Sequence, residues 1–440
     1  MTFVQRAGGK NRGAESAEHM SSGELLYALL IGLMFTGYPA ISFLSIPLNI
    51  EAERSRLITM PFRAVVLVLG TGLLISAWRN RRLVSLNGLH ILFICFWSLY
   101  GIRLVYETLY NAELLVFKYT EYLAYGFGIC IASTYGLFTR MSLRVANVAP
   151  RFIWLLALIA IITGIVLRRG ELGIDRRAQF GTLNPISYGQ CSVTLILLSA
   201  YLALTTKELW LKVLFAVGSL PGFVVVTLAA SRGPVLCLLG GLAVLFVLAF
   251  RLGHKLRAIF GTFVVVIGLW MGLDHLIQSQ SLLTTRFSET AQDFQGGGEL
   301  ERPILWSAAL AEYVKHPVLG AGLEIPVMGY PHNLTIEALL TTGPLGALLF
   351  IALQVFMIRG MGHTLRFIPT TWAALLGVQY LVHSQFSGSL CFAPEFWATV
   401  LLQATCASLA TPQPAMRATG AAAAPWESIA RMEYRYRIRQ

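Results

Sequence analysis

The chain is 440 residues long, 56% of them hydrophobic and only 13% charged, with a formal net charge of +12 and a mean hydropathy of +0.65. That leaves too little polar surface to cover a water-soluble globule, so lipid must be the solvent for most of the chain. Apolar runs of about 20 residues, the length a helix needs to cross a hydrocarbon core of about 30 Å, recur along it without alternating short strands, which favours a helical bundle over a membrane β-barrel.

In chain order, the pattern predicts a cytoplasmic N-terminal tail over 1–23, a membrane domain over 24–410 and a cytoplasmic basic tail over 411–440. The predicted fold is an all-α polytopic membrane protein with about twelve transmembrane helices. Their expected places are 24–46, 61–78, 88–106, 118–138, 152–167, 185–205, 209–230, 234–250, 258–276, 334–358, 367–388 and 396–410. The first apolar segment lacks a small-x-small cleavage pattern and reads as an uncleaved span. The six cysteines, Cys95, Cys130, Cys191, Cys237, Cys391 and Cys406, are scattered, with neither a disulfide framework nor metal-ligand spacing.

Lys and Arg divide unequally between the connections. The larger share falls on the two tails and on alternate turns, such as the one with Arg79, Arg81 and Arg82, which assigns those to the cytoplasm. The opposite face still holds Arg54, Arg56, Arg63, Arg168, Arg169, Arg176, Arg177, Arg232, Arg286 and Arg302. Arginine grips phosphate oxygens with a planar fork of donors and keeps its charge near lipid, so one reading is an extracytoplasmic site for a phosphorylated lipid. The other is that Arg168, Arg169, Arg176 and Arg177 lie at headgroup depth, snorkelling or paired with Glu171 and Asp175.

Arg232 lies in Ala229-Ala230-Ser231-Arg232-Gly233-Pro234, a break between two apolar runs with almost no loop, where a charge at the membrane boundary is a functional candidate. The connection over about 277–333 is too long to be a simple turn. It opens with a polar stretch ending in Gly296-Gly297-Gly298, continues into a predicted amphipathic interfacial helix from Glu301 to Tyr313, and places Arg302 at that helix's N-terminal end. A helix N-terminus beside an Arg suits an anion; the plainer alternative pairs Arg302 with Glu299 or Glu301. Tyr330-Pro331-His332-Asn333 then precedes the next span, with Glu337 about one and a half turns below His332. An imidazole there suits removal of a proton from a sugar hydroxyl, although a histidine at an interface can equally be a polar cap. His275, His316 and His383 have no comparable setting. Neither a Gly-x4-Gly-Lys-Ser/Thr loop nor a cluster of metal ligands is present, so no cofactor and no metal are expected and energy must come from the substrate.

The pair Arg232-x3-Leu236 and His332-Asn333-x9-Gly343-x2-Gly346, with Arg302-x3-Trp306 and His316-Pro317-x2-Gly320-x-Gly322 between them, resembles the signature motifs of the bacterial O-antigen ligase and lipid-linked polysaccharide polymerase superfamily. The resemblance extends to the number of spans and the long loop before the histidine. It implies an inverting, metal-independent glycosyltransferase of the inner membrane that moves O-antigen from undecaprenyl diphosphate onto lipid A-core at the periplasmic face. Carried over residue by residue, Arg232 and Arg302 would neutralise the leaving diphosphate, and His332 would orient or deprotonate the acceptor hydroxyl. Arg286 is an alternative to Arg302; Asn333 and Glu337 join the substrate-binding set, and Arg168, Arg169, Arg176 and Arg177 match no motif but suit lipid phosphates.

An O-antigen polymerase is the alternative within the superfamily, a protein O-oligosaccharyltransferase a third choice, and a transporter or flippase of a phosphorylated lipid the alternative from another class. A flippase should show internal repeats and charges deep in several spans, whereas only Arg103 lies deep. The basic tail from Arg431 to Arg439 reads as a contact for anionic lipid headgroups rather than for nucleic acid.

Overall fold

The structure is a computed structural model, and it describes residues 20–46, 48, 56–79, 88–111, 115, 117–134, 141–167, 183–229, 231–253 and 301–410. Arg286, His275, the predicted span at 258–276, the group Arg168, Arg169, Arg176 and Arg177, and the tails 1–19 and 411–440 lie outside the described residues.

In chain order the described elements are α1 (Ser22–Ser45), α2 (Arg56–Arg79), α3 (Gly88–Tyr110), a π-helix (Tyr122–Ser133), α4 (Leu143–Leu167), α5 (Pro185–Thr205), α6 (Leu209–Leu228), α7 (Arg232–Arg251), α8 (Glu301–Lys315), α9 (Leu334–Thr364), α10 (Thr371–Ser384) and α11 (Pro394–Ala410). Among the described residues, eight helices are long and apolar enough to cross a membrane: α1 to α7 and α9. Shorter helices occupy the spans expected at 118–138, 367–388 and 396–410. The helix α11 contains all of the expected 396–410, but at 367–388 the expected span overstates the helix, which ends at Ser384. Beyond it lies a turn with Phe386, Leu390 and Phe392 that includes Gly388 at φ +87° and ends where Pro394 starts α11. Leu390 and Cys391 of that turn are fully buried, and non-helical backbone at this depth is tolerated because it is enclosed by protein.

Apolar side chains such as Val68, Ile102, Leu109, Leu209 and Leu348 stay exposed on α2, α3, α6 and α9, as lipid-facing helices require. Inward faces build two cores. One joins α1, α4, α5, α7 and α10, with Trp372 Nε1 donating to the Ala146 carbonyl (2.8 Å) and Trp154 Nε1 to Ser199 Oγ (2.8 Å). The other joins α3, the π-helix, α9 and α11 around Phe93, Phe96, Trp97, Phe350 and Trp397, whose rings meet at tilted and edge-to-face angles that suit the aromatic quadrupole. Buried indoles need partners, and Trp397 finds one in the Leu390 carbonyl at 2.7 Å.

The helix α9 is broken near its start. Gly343 has φ +65° and ψ −165°, and Pro344 follows it. Proline has no N–H, so the Leu340 carbonyl loses its partner within the helix. It accepts instead from the N–H groups of Ala321 (2.7 Å) and Gly322 (3.3 Å), which bring the 316–322 turn against the break. A Cβ on Gly320 would collide with the Leu340 carbonyl and one on Gly343 with the Val318 carbonyl, so glycine is needed on both sides of this joint. Arg103 adds a clamp from α3: it pairs with Glu107 and donates to the Gly320 carbonyl at 3.3 Å.

Candidate active site at one end of the bundle

The N-terminal ends of α7, α8 and α9 and the C-terminal end of α10 meet at one end of the bundle, together with the upper part of α5. Asn333 caps α9, its side-chain oxygen accepting from Thr335 N (2.9 Å) and Ile336 N (3.0 Å). Its amide nitrogen donates to the Gln385 carbonyl at 3.0 Å, which fastens α9 to the end of α10. Glu337, one turn further on, is buried and accepts from Ser389 Oγ (2.6 Å) and Leu390 N (3.1 Å), holding the turn between α10 and α11. Asn333 and Glu337, two members of the expected substrate-binding set, therefore have their polar atoms engaged by the protein itself.

His332 precedes the cap with φ +55°, a left-handed conformation that few residues other than glycine adopt. Its neighbours hold it there. The Pro331 carbonyl accepts from Trp306 Nε1 at 3.0 Å, and the His332 ring meets Tyr330 edge-on at 4.6 Å. Tyr330 in turn packs on Phe117 and Phe392, and burial, reinforced by the charge of Glu337, raises its phenol above the ordinary value. Glu324 secures the same segment by accepting from Phe117 N (3.1 Å) and the Tyr122 hydroxyl.

The helix expected from Glu301 to Tyr313 is present as α8, running slightly longer, to Lys315. Ala309 is buried and Leu305 and Ala308 half-buried against Ile325, Ile336 and Leu340, while Ile304, Leu310 and Val314 stay exposed. This packing, with the Trp306 bond, places the N-terminal half of α8 beside His332. Arg302 lies in its first turn, close enough for its charge to act on the His383 imidazole of α10.

Arg232 opens α7. Pro234 seats against Gly189 of α5 so closely that a Cβ on Gly189 would overlap its ring, and Cys237, one and a half turns below Arg232, binds Gln190 and Gln379. Gln190 reaches His383 Nδ1 at 2.9 Å. The chain of contacts from α7 through α5 to α10, and from α10 to α8 and α9, gathers Arg232, Arg302 and His332 at the same end of the bundle. His316, by contrast, is exposed beyond α8.

Residues 214–351 match the O-antigen ligase family model. The matched segment contains Arg232, Arg302, Gly320, Gly322, His332, Asn333, Gly343 and Gly346, the residues that carry the resemblance, and supports kinship of this segment with the O-antigen ligase superfamily. With the eight apolar helices, it makes the chain a multi-pass membrane protein. No curated protein matches the chain. Gln190, Gln379, His383 and Gln385 lie outside the segment matched to the ligase family, yet all touch this end of the bundle. Nothing beside His383 in sequence marks it, because its neighbours Gln190 and, through it, Cys237 come from distant helices.

Proposed function

We propose that the chain is an O-antigen ligase, an inverting, metal-independent glycosyltransferase that moves O-antigen polysaccharide from undecaprenyl diphosphate onto lipid A-core at the periplasmic face of the inner membrane. The gathering of Arg232, Arg302 and His332 at one end of the bundle, within a segment matching the ligase family, carries this reading. In the reaction, His332 takes the proton of an acceptor sugar hydroxyl as its oxygen attacks the anomeric carbon from the face opposite the carrier. The bond from that carbon to the diphosphate oxygen breaks, and its electron pair leaves with the diphosphate. Arg232 and Arg302 neutralise the charge that develops there, the part a metal ion plays in other glycosyl transfers. Arg286, Arg168, Arg169, Arg176 and Arg177 are assigned to holding phosphates of the two lipid substrates, whereas Asn333 and Glu337 act by fixing the backbone around His332.

The test is transfer by purified protein in detergent, with undecaprenyl-diphosphate-linked glycan, lipid A-core and a chelator, followed by the gel mobility of lipid A-core. A ladder on lipid A-core that survives the chelator is expected. Glycan lengthening on the carrier alone would move the assignment to a polymerase, and no covalent product would favour a transporter.

A further inference from the structure

His383 lies half-buried at the end of α10, outside the segment that matches the ligase family, and its proton can be placed from its neighbours. A backbone carbonyl only accepts. Gln379 approaches the Gln190 carbonyl with its Nε2 at 3.0 Å, so that atom is the amide nitrogen. The same Nε2 donates to Gln190 Oε1 at 3.0 Å, which fixes the Gln190 amide with its oxygen toward Gln379. Its Nε2 therefore faces His383 Nδ1 at 2.9 Å as a donor, with Cys237 Sγ at 3.3 Å as a second, weaker acceptor. Cys237 closes the ring by donating to the Gln379 carbonyl at 3.2 Å. An Nδ1 that accepts carries no proton, so the neutral ring of His383 carries its hydrogen on Nε2.

That Nε2–H has no hydrogen-bond partner among the described residues, and His383 as a whole is only half-buried. Its surroundings are set by the Tyr380 ring on one side and the charge of Arg302 on another. A fixed, uncharged donor within the field of a guanidinium is suited to an anionic oxygen, because hydrogen bonds to charged acceptors are stronger than those between neutral groups.

Building on the ligase reading above, we infer that His383 is a third ligand of the donor's diphosphate, giving its Nε2–H to a phosphate oxygen held also by Arg302, with Gln190 and Gln379 as the positioning residues that fix its tautomer. No proton changes hands in this role. His383 orients the leaving group, whereas His332 takes the acceptor's proton.

The experiment combines nitrogen NMR of histidine-labelled full-length protein in detergent with steady-state transfer kinetics, using farnesyl diphosphate as the binding probe. For the wild type, His383 Nδ1 should resonate as an unprotonated nitrogen and Nε2 as a protonated one, and the probe should move the Nε2 signal. His383→Leu should raise the KM for the lipid-linked donor at least about tenfold, the loss expected for a hydrogen bond to a charged group, and leave the KM for lipid A-core unchanged. His383→Gln, whose amide nitrogen overlies Nε2, should recover most of that loss, which a merely structural role would not give. A proton on Nδ1, an Nε2 signal indifferent to bound probe, or an unchanged donor KM in His383→Leu would overturn the inference while transfer by the wild type keeps the ligase reading. Should His383→Leu fail to insert, the wild-type spectra and His383→Gln decide. A wild type that neither binds the probe nor transfers glycan would overturn both.

Discussion

The joint at Gly343 and the mouth around His332 and His383 are built from neighbouring stretches of the same helices, yet they use polar groups in opposite ways. In the joint, the carbonyl released by Pro344 is taken up by Ala321 and Gly322, Arg103 closes over the Gly320 carbonyl, and two glycines let the backbones touch. In the mouth, the Nε2–H of His383 has no hydrogen-bond partner among the described residues, and the charge of Arg302 reaches it. Residues of one family-like pattern thus divide into those that hold the backbone and those placed to meet a ligand. Order along the chain does not reveal which is which; the hydrogen bonds do.

Substitutions should separate these two classes. The largest effect is expected at the mouth. His332→Ala and Arg232→Ala should each lower transfer by about 10²–10⁴-fold, the range for losing a proton acceptor or a charge stabiliser, with the melting temperature in detergent unchanged. Gly343→Ala should do the reverse. A side chain at a left-handed position that also strikes the Val318 carbonyl should cost on the order of 2 kcal/mol or more, visible as a lower melting temperature. Arg302→Lys keeps the charge and loses the planar fork, so the donor KM should rise by about tenfold while the acceptor KM stays put. The smallest shift belongs to Asn333→Ala, which removes a helix cap and should destabilise by about 1 kcal/mol in thermal unfolding. Melting temperatures that fall for the mouth variants, or rates that fall for Gly343→Ala at constant folded fraction, would erase the distinction.

Much of this architecture could be read from the sequence because lipid imposes a simple rule: apolar runs of spanning length must be helices. The rule overreached at the end of α10, where Phe386 belongs to an enclosed turn and hydropathy cannot tell an enclosed turn from a span. Arg232, Arg302 and His332 stood out as charges and an imidazole at chain breaks, and α8 as an amphipathic stretch behind a proline. Asn333 and Glu337 stood out for the same reason, but their partners, Gln385, Ser389 and Leu390, come from the far end of α10 and were invisible without the fold. His383 was passed over for the converse reason. Nothing beside it in sequence marks it, and its meaning comes from Gln190, Cys237 and Gln379 on three separate helices.

The most direct test of the account is a single-turnover transfer measurement on His332→Ala beside the wild type, with donor binding and melting temperature taken on the same preparations. The variant should bind the lipid-linked donor and melt as the wild type does, yet form the glycosidic bond to lipid A-core about 10²–10⁴-fold more slowly. Transfer at the wild-type rate by a folded, donor-binding His332→Ala would contradict it.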